Sequence, residues 1–101
     1  MEETLLFRVD KIFSLPGLGL LLLPANAGPE LRELALHTAL RLTLRYPTGH
    51  QETAIATVEE IARTEEPAIR ALLLTQERAG PVPTGTEVWW SGAEVGWEEL
   101  L

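Results

Sequence analysis

Three observations on this sequence predict an all-β fold, namely a small closed antiparallel β-barrel of six strands. Short apolar segments are separated by Pro and Gly residues along the chain, a pattern typical of strands joined by turns. Several of these segments alternate apolar and polar residues with the period of two that a half-buried strand shows. The 101 residues, of which 46% are hydrophobic and 23% charged, suffice for one small packed domain.

The first strand is predicted around Leu5, Phe7 and Val9, which are apolar at every second position and are expected to face the core. The alternation slips at Lys11. A slip of this kind predicts a bulge or a bend, such as barrels use at their corners.

Pro16 and Gly17 predict a turn after this strand, since proline fixes φ and glycine accepts positive φ. The return strand covers residues 20–23, with apolar residues on both faces. Residues 39–46 alternate regularly and predict an amphipathic strand. Between these two strands, residues 30–38 fit either a short helix of one or two turns or a strand, and both alternatives stay open.

Three further strands are predicted in the rest of the chain. The sequence TAIATV at residues 53–58 has strand character, and the apolar sequence AIRALLLTQE at residues 68–77 follows a proline. The last strand is expected over residues 86–90. The barrel domain is therefore predicted to span residues 1–90, with residues 91–101 as a C-terminal tail that packs on the barrel or extends from it.

The apolar stretch at residues 12–23 does not fit a secretory signal, a membrane span or a nucleotide-binding loop. The residues before it carry three acids and two bases, whereas a signal needs a positive start. The stretch is shorter than the roughly 20 residues of a membrane helix. Leu22 stands where a Gly-x-Gly-x-x-Gly motif needs its third glycine. We therefore expect no membrane association and no nucleotide cofactor.

The net charge of −7 arises in the second half of the chain. Residues 51–101 carry ten acids and three arginines, whereas residues 1–50 carry five charges of each sign. An acidic half repels nucleic acid and anionic lipid, and it is typical of a solvated surface or of docking on a basic protein. The chain contains no cysteine, which excludes disulfides and thiolate metal sites. We expect a location in the bacterial cytoplasm.

Patterns for catalysis or metal binding are weak. His37 and His50 are the only histidines, and their spacing predicts surface positions. Four glutamates offer paired carboxylates for acid–base catalysis or for a hard metal ion, but such an acidic run is also typical of a solvated surface. They are Glu59, Glu60, Glu65 and Glu66. We expect no enzymatic activity, no catalytic residue, no metal and no cofactor.

Trp89 and Trp90 are candidates for an interaction surface. On a strand one indole faces the core and the other faces outward, and exposed tryptophan is enriched at binding hot spots. The alternative is that the tail covers the outer ring through Trp97 or Leu100. Leu18, in the predicted turn, adds a further apolar contact residue.

Three motifs follow one another in a family-like order. Residues 7–19 read FRVDKIFSLPGLG, residues 56–64 read ATVEEIART, and residues 68–88 begin AIRALLLTQE. In this order they resemble domain II of elongation factor Tu and other translational GTPases. That barrel opens with Phe-x-Val-x-x-Val/Ile-Phe-Ser-Ile-x-Gly-Arg-Gly and continues with Gly-Val-Glu-Met-Phe-Arg and Val-Gly-Leu-Leu-Leu-Arg-Gly strands. The resemblance covers residues 5–90 and implies a free-standing six-stranded barrel without the GTPase domain.

The resemblance also implies an altered ligand pocket. In the family an acidic pair and a phenylalanine line one side of the aminoacyl pocket. The matching positions in this sequence are Asp10, Lys11 and Phe13. Lys11 therefore reverses one of the charges. The facing wall maps to residues 68–69, next to Arg70 in place of the family's glycine.

Leu18 replaces the arginine between the turn glycines, which removes a cation that could meet ribosomal RNA. We therefore predict a non-enzymatic barrel that binds a protein partner in an interaction or inhibitory, immunity-type role, through an apolar patch bordered by the acidic half. The alternative is a translation-associated module that contacts tRNA or the ribosome, and a third interpretation is a small hydrolase that uses the glutamates. The predicted partner-binding residues are Leu18, Trp89, Trp90, Asp10, Lys11, Phe13 and Arg70.

Overall fold

Six antiparallel strands close into a ring in the computed structural model, which describes residues 3–25, 29–74 and 82–94. The strands and the one short helix are β1 (Thr4–Leu15), β2 (Gly19–Pro24), α1 (Pro29–Glu33), β3 (Ala39–Arg45), β4 (Gln51–Arg63), β5 (Glu66–Leu74) and β6 (Glu87–Glu94). The order around the barrel is β1-β2-β5-β4-β3-β6. The predicted all-β fold of six antiparallel strands in a closed barrel is therefore confirmed.

β1 pairs with its two neighbours through different halves of its length. Its first half pairs with β6 and its second half pairs with β2. The register against β2 shifts between Val9 and Lys11, so Asp10 is the extra residue of a bulge. The bulge predicted from the slip at Lys11 is present.

A second irregularity in β1 was not predicted. The register against β6 shifts between Leu5 and Phe7. As a result the side chains of Leu6 and Phe7 both face the core, with 4% and 5% of their surfaces exposed. Leu5 is only half-buried, so the expected alternation, with Leu5 inward and Leu6 outward, is wrong at this point.

The strand directions define two ends of the barrel. β2, β4 and β6 end where β1, β3 and β5 begin, and α1 lies at this end in the connection from β2 to β3. We call it the helix end. The turns at residues 16–18 and 46–50 lie at the opposite end, the hairpin end, together with residues 82–86, which lead into β6.

α1 resolves the segment that the sequence left open between helix and strand. It is a helix of five residues, and Leu31 on it is fully buried. In the part of the chain that the structure describes, no helix is long and apolar enough to cross a membrane.

The inward-facing side chains form one apolar core, which the connections close at both ends. Leu31 fills the helix end, and Val82, 1% exposed, belongs to the same core at the hairpin end. A barrel of this size is filled by its own side chains and leaves no channel. The buried residues of this core are Leu6, Phe7, Val9, Leu22, Leu31, Leu40, Leu42, Leu44, Ala54, Ala56, Val58, Leu72, Leu74, Val82 and Val88.

Two strands are longer than the sequence predicted. β4 continues through the acidic residues to Arg63, and β6 continues past Trp90 to Glu94, whose backbone lies opposite Leu40. The predicted domain boundary at residue 90 therefore falls inside β6. Residues 95–101, with the predicted docking of Trp97 or Leu100, lie outside the described residues.

Candidate functional site

Phe13 belongs to a row of apolar side chains on the outside of three neighbouring strands. Its register partner on β2 is Leu21, which lies opposite Leu73 on β5. The alternate residues Leu22 and Leu72 belong to the core, so the row faces outward. The outer face of an antiparallel barrel is ordinarily polar, and three apolar residues abreast are therefore unusual.

Leu18 extends this row towards the hairpin end. It lies in the turn between β1 and β2, where its N–H donates a hydrogen bond to the carbonyl oxygen of Leu15 over 2.9 Å. The side chain of Leu18 is 63% exposed and that of Phe13 is 49% exposed, whereas Leu73 is half-buried and Leu21 is buried, with 7% of its surface exposed. We call Phe13, Leu18, Leu21 and Leu73 the apolar face.

Trp89 lies on the outer surface of β6, away from the apolar face. Its indole Nε1 donates a hydrogen bond to Glu87 over 3.0 Å, and the guanidinium of Arg45 lies 4.8 Å from the centre of its ring. Its register partner on β1 is Leu5, which belongs to the half of β1 on the other side of the bulge from Phe13. The structure therefore does not join Trp89 and Leu18 into one surface.

Glu87 ties the outer surfaces of β1, β3 and β6 together. Arg8 donates two hydrogen bonds to its carboxylate, over 2.9 and 3.2 Å, and Arg45 lies 3.8 Å away. The hydrogen bond from Trp89, followed by that from Arg8, lowers the pKa of Glu87 below its ordinary value of 4.5. These contacts hold the indole against the barrel.

Trp90 faces the opposite way from Trp89. It is half-buried and packs against the apolar core. A large aromatic ring in this position contributes to the stability of the barrel. The structure thus places Trp90 in the packing, whereas the sequence predicted it as a partner-binding residue.

Asp10, Lys11 and Arg70 do not form one pocket with Phe13. Asp10 and Lys11 are exposed at the bulge of β1, opposite the last residues of β2. Arg70 lies on β5, beyond β2, and it lines a cleft to which neither Asp10, Lys11 nor Phe13 contributes.

This cleft lies at the helix end, between α1 and the turn that joins β4 to β5, and has a volume of about 590 Å³. We call it the helix-end cleft. Just inside it, the inward-facing register pairs of β4 and β5 change from Val58–Leu72 to Glu60–Arg70, so the cleft begins where the apolar core ends. The described residues that line it are Ala25, Arg32, Glu60, Arg63, Glu66, Pro67, Ala68, Ile69 and Arg70.

Two ion pairs orient the arginines of β4 and β5 in the cleft. Arg70 Nη1 lies 3.5 Å from the carboxylate of Glu60, but it is buried and makes no hydrogen bond within the described residues. Arg63 donates two hydrogen bonds to the carbonyl oxygen of Pro67, over 2.9 and 2.7 Å, and lies 3.7 Å from Glu66. The guanidinium groups are therefore held in place, while Nη1 of Arg70 has no acceptor in this part of the chain.

Of the residues that line this cleft, only 68–70 were expected beside a pocket, and that from the resemblance; the cleft itself was not predicted, although one signal for it exists. On β4 and β5 the inward positions are apolar until Glu60 and Arg70, where both become charged. A change of this kind marks the end of a barrel interior. Arg32 gives no such signal, because its contribution depends on where α1 lies.

The two histidines are exposed. His37 Nδ1 lies 3.3 Å from the carboxylate of Glu59, and the rings of His50 and Tyr46 stack with their centroids 5.6 Å apart. Glu59 and Glu60 lie on opposite faces of β4, so they do not form a pair of carboxylates. Within the described ranges no group of three or more His, Asp or Glu residues could hold a metal ion.

Comparison of the chain with protein-family models, with curated proteins and with solved structures finds no match.

Proposed function

We propose that this protein is a non-enzymatic binding module and that a protein partner docks on the apolar face. The observation that carries the proposal is the exposure of Phe13, at 49%, and of Leu18, at 63%, beside the half-buried Leu73 and the buried Leu21 of the same outward row. Contiguous apolar residues on the outside of a soluble barrel are typical of interaction sites. The barrel is closed, so a partner would bind side chains and not a free strand edge.

The charge around the apolar face supports a partner with a basic rim. Residues 51–74, which form the β4–β5 hairpin, carry five glutamates and two arginines. Leu73 pairs with Thr57 on β4, and Glu59 lies two residues further along the same outer face, so an acidic residue lies beside the apolar face. Charge complementarity of this kind steers association and suppresses wrong partners. An inhibitory, immunity-type role against a basic protein is the form of the proposal that agrees with this surface.

The alternative proposal is a translation-associated module that contacts tRNA or the ribosome. A closed barrel of six antiparallel strands supports it, because this is the fold that the resemblance to domain II of translational GTPases implies. The net charge of −7 argues against it, since contacts to phosphate need cationic side chains. We therefore favour the protein partner.

Affinity capture from native lysate tests the proposal when the bait carries matched substitutions. Phe13→Ser and Leu18→Ser each remove one exposed apolar side chain from the apolar face. Leu36→Ser removes an exposed leucine, 42% accessible, from the segment between α1 and β3, and it serves as the control.

The proposal predicts one protein that wild type and Leu36→Ser retain and that Phe13→Ser and Leu18→Ser lose, with or without ribonuclease. Retention of ribosomes or tRNA that ribonuclease abolishes would support the alternative. Equal loss in all three variants would contradict a role for the apolar face.

A further inference from the structure

We infer that the helix-end cleft binds a small oxyanion, a carboxylate or a phosphate group, through Arg32 and Arg70. This inference does not depend on the proposed protein partner. The apolar face lies towards the hairpin end of the barrel, and the cleft opens at the opposite end. The resemblance placed residues 68–70 beside an aminoacyl pocket, but it assigned no role to Arg32 and no free oxyanion as ligand.

The cleft is positioned by elements that are far apart in the chain. Glu60 and Arg70 are register partners on β4 and β5, and Arg32 follows the fully buried Leu31 on α1. Burial of Leu31 in the core fixes the helix over the barrel end, and this keeps the next side chain at the rim. The fold thus places the backbones of Arg32 and Arg70 at the same cleft, and the ion pair with Glu60 orients the guanidinium of Arg70.

The distribution of positive charge singles out this cleft. Three of the eight cationic side chains of the chain line it, namely Arg32, Arg63 and Arg70. Two carboxylates, those of Glu60 and Glu66, line it as well, so the described residues of the lining carry one net positive charge in a protein of net charge −7. Cations concentrated in a concave site raise the local concentration of anions.

The contacts of the arginines leave donors for a ligand. Arg70 Nη1 is buried without a hydrogen bond, and its distance of 3.5 Å from Glu60 makes only an ionic contact. Arg32 makes no ion pair or hydrogen bond with the described residues. The side chain of Arg70 keeps 20% of its surface exposed and lines the cleft, so an oxyanion there offers an acceptor to its exposed N–H groups while it neutralises Arg32.

The chemistry of the guanidinium group determines the class of ligand. Its planar N–H donors match the paired oxygens of carboxylate and phosphate, which it binds through two parallel hydrogen bonds. A volume of about 590 Å³ lies in the range of small-molecule sites. The cleft therefore accommodates a small metabolite with a terminal oxyanion, and the ion pair with Glu60 holds Arg70 in place.

Isothermal titration calorimetry at low ionic strength tests the inference with two probes, inorganic phosphate and succinate. We expect saturable binding of at least one probe with a dissociation constant below about 1 mM. Binding of phosphate alone would identify a phosphate ester as the natural ligand class, and binding of succinate alone would identify a carboxylate. If neither probe saturates at this concentration, the inference is wrong.

Three variants locate the binding. Arg32→Gln and Arg70→Gln each remove one guanidinium from the cleft and are expected to weaken binding about tenfold or more. Arg41→Gln removes an exposed arginine from β3, outside the cleft, and is expected to leave the affinity within about twofold. Circular dichroism verifies the fold of each variant, and Arg32→Gln alone decides if Arg70→Gln fails to fold. Equal weakening in Arg41→Gln would show that the probe binds through general charge attraction. This result would overturn the inference.

Discussion

Arg70 lies opposite Glu60 on neighbouring strands, one inward-facing position beyond the apolar pair of Leu72 and Val58. This step from an apolar pair to a charged pair is where the interior of the barrel ends and the helix-end cleft begins. The same two strands therefore contribute to the core with one set of side chains and to a polar site with the next. Stability and ligand binding at this end depend on how firmly α1 closes the core beneath the cleft.

Leu31 closes the core at the helix end, and truncation of its side chain is expected to destabilise the fold. The side chain is fully buried in the core although it comes from a helix of only five residues. Leu31→Ala should lower the free energy of unfolding by about 2–5 kcal/mol, because the cavity adds to the lost apolar burial. Chemical denaturation followed by circular dichroism measures the difference.

Leu36→Ala is the matched control for this substitution. Leu36 is 42% exposed and lies only a few residues further along the same connection, so its truncation should change the free energy of unfolding by less than about 0.5 kcal/mol. Similar losses in the two variants would show that α1 does not close the barrel as described.

Gly19 and Gly17 both have positive φ, but only Gly19 also lacks room for a side chain. A Cβ at Gly19, with φ of 136°, would overlap the carbonyl oxygen of Leu74, whereas at Gly17, with φ of 81°, it would meet nothing within 4 Å. Gly17→Ala should therefore lower the free energy of unfolding by about 1–2 kcal/mol through backbone strain alone. Gly19→Ala should lower the free energy of unfolding by at least about 2 kcal/mol more than Gly17→Ala does, because β5 must also shift. Equal midpoints in urea denaturation would contradict the close approach of β2 and β5.

The carboxylate of Glu87 is expected to titrate below 4.5, because Trp89 and Arg8 donate hydrogen bonds to its charged form. Trp89→Phe keeps an aromatic ring but removes the N–H donor, so the pKa of Glu87 should rise towards 4.5 in this variant. Carbon-detected NMR titration of the side-chain carboxyl measures both values. An unchanged pKa in Trp89→Phe would show that the indole does not bond to Glu87 in solution.

The lowered pKa of Glu87 also predicts a dependence of stability on pH. A carboxyl group whose pKa is lower in the folded state stabilises that state at every pH above its unfolded value, and this contribution is lost as the pH falls through the folded value. The stability difference between wild type and Glu87→Gln should therefore be constant above about pH 5.5 and should shrink as the pH falls below 4.5. Urea denaturation at a series of pH values tests this expectation.

The sequence predicts most of this fold because alternation with period two can be recognised locally. The slip at Lys11 can be recognised because it interrupts a regular alternation of apolar and polar residues. The structure has a bulge at this place in β1. The irregularity between Leu5 and Phe7 could not be recognised, because Leu5, Leu6 and Phe7 are all apolar and define no phase. The far end of β4 looks like a solvated acidic run in the sequence, because its glutamates lie near the end of the barrel, where inward positions need not be apolar.

The sites depend on relationships between distant segments, and these are harder to predict. That one of Trp89 and Trp90 faces inward follows from strand geometry, but which one does so depends on the bulges and on the register with β3 and β1. The cleft combines Arg32 with Arg70 through the placement of α1 over the barrel end. No local pattern contains that information.

Photo-crosslinking from position 13 tests the proposed function most directly. Phe13 is replaced by a photoreactive phenylalanine analogue of similar shape, and the same analogue at position 36 serves as the control, because Leu36 is an exposed leucine outside the apolar face. The account predicts a crosslink to one protein from position 13 and none to that protein from position 36. No protein crosslink from position 13, or the same products from both positions, would contradict the assignment of the apolar face as the partner-binding surface.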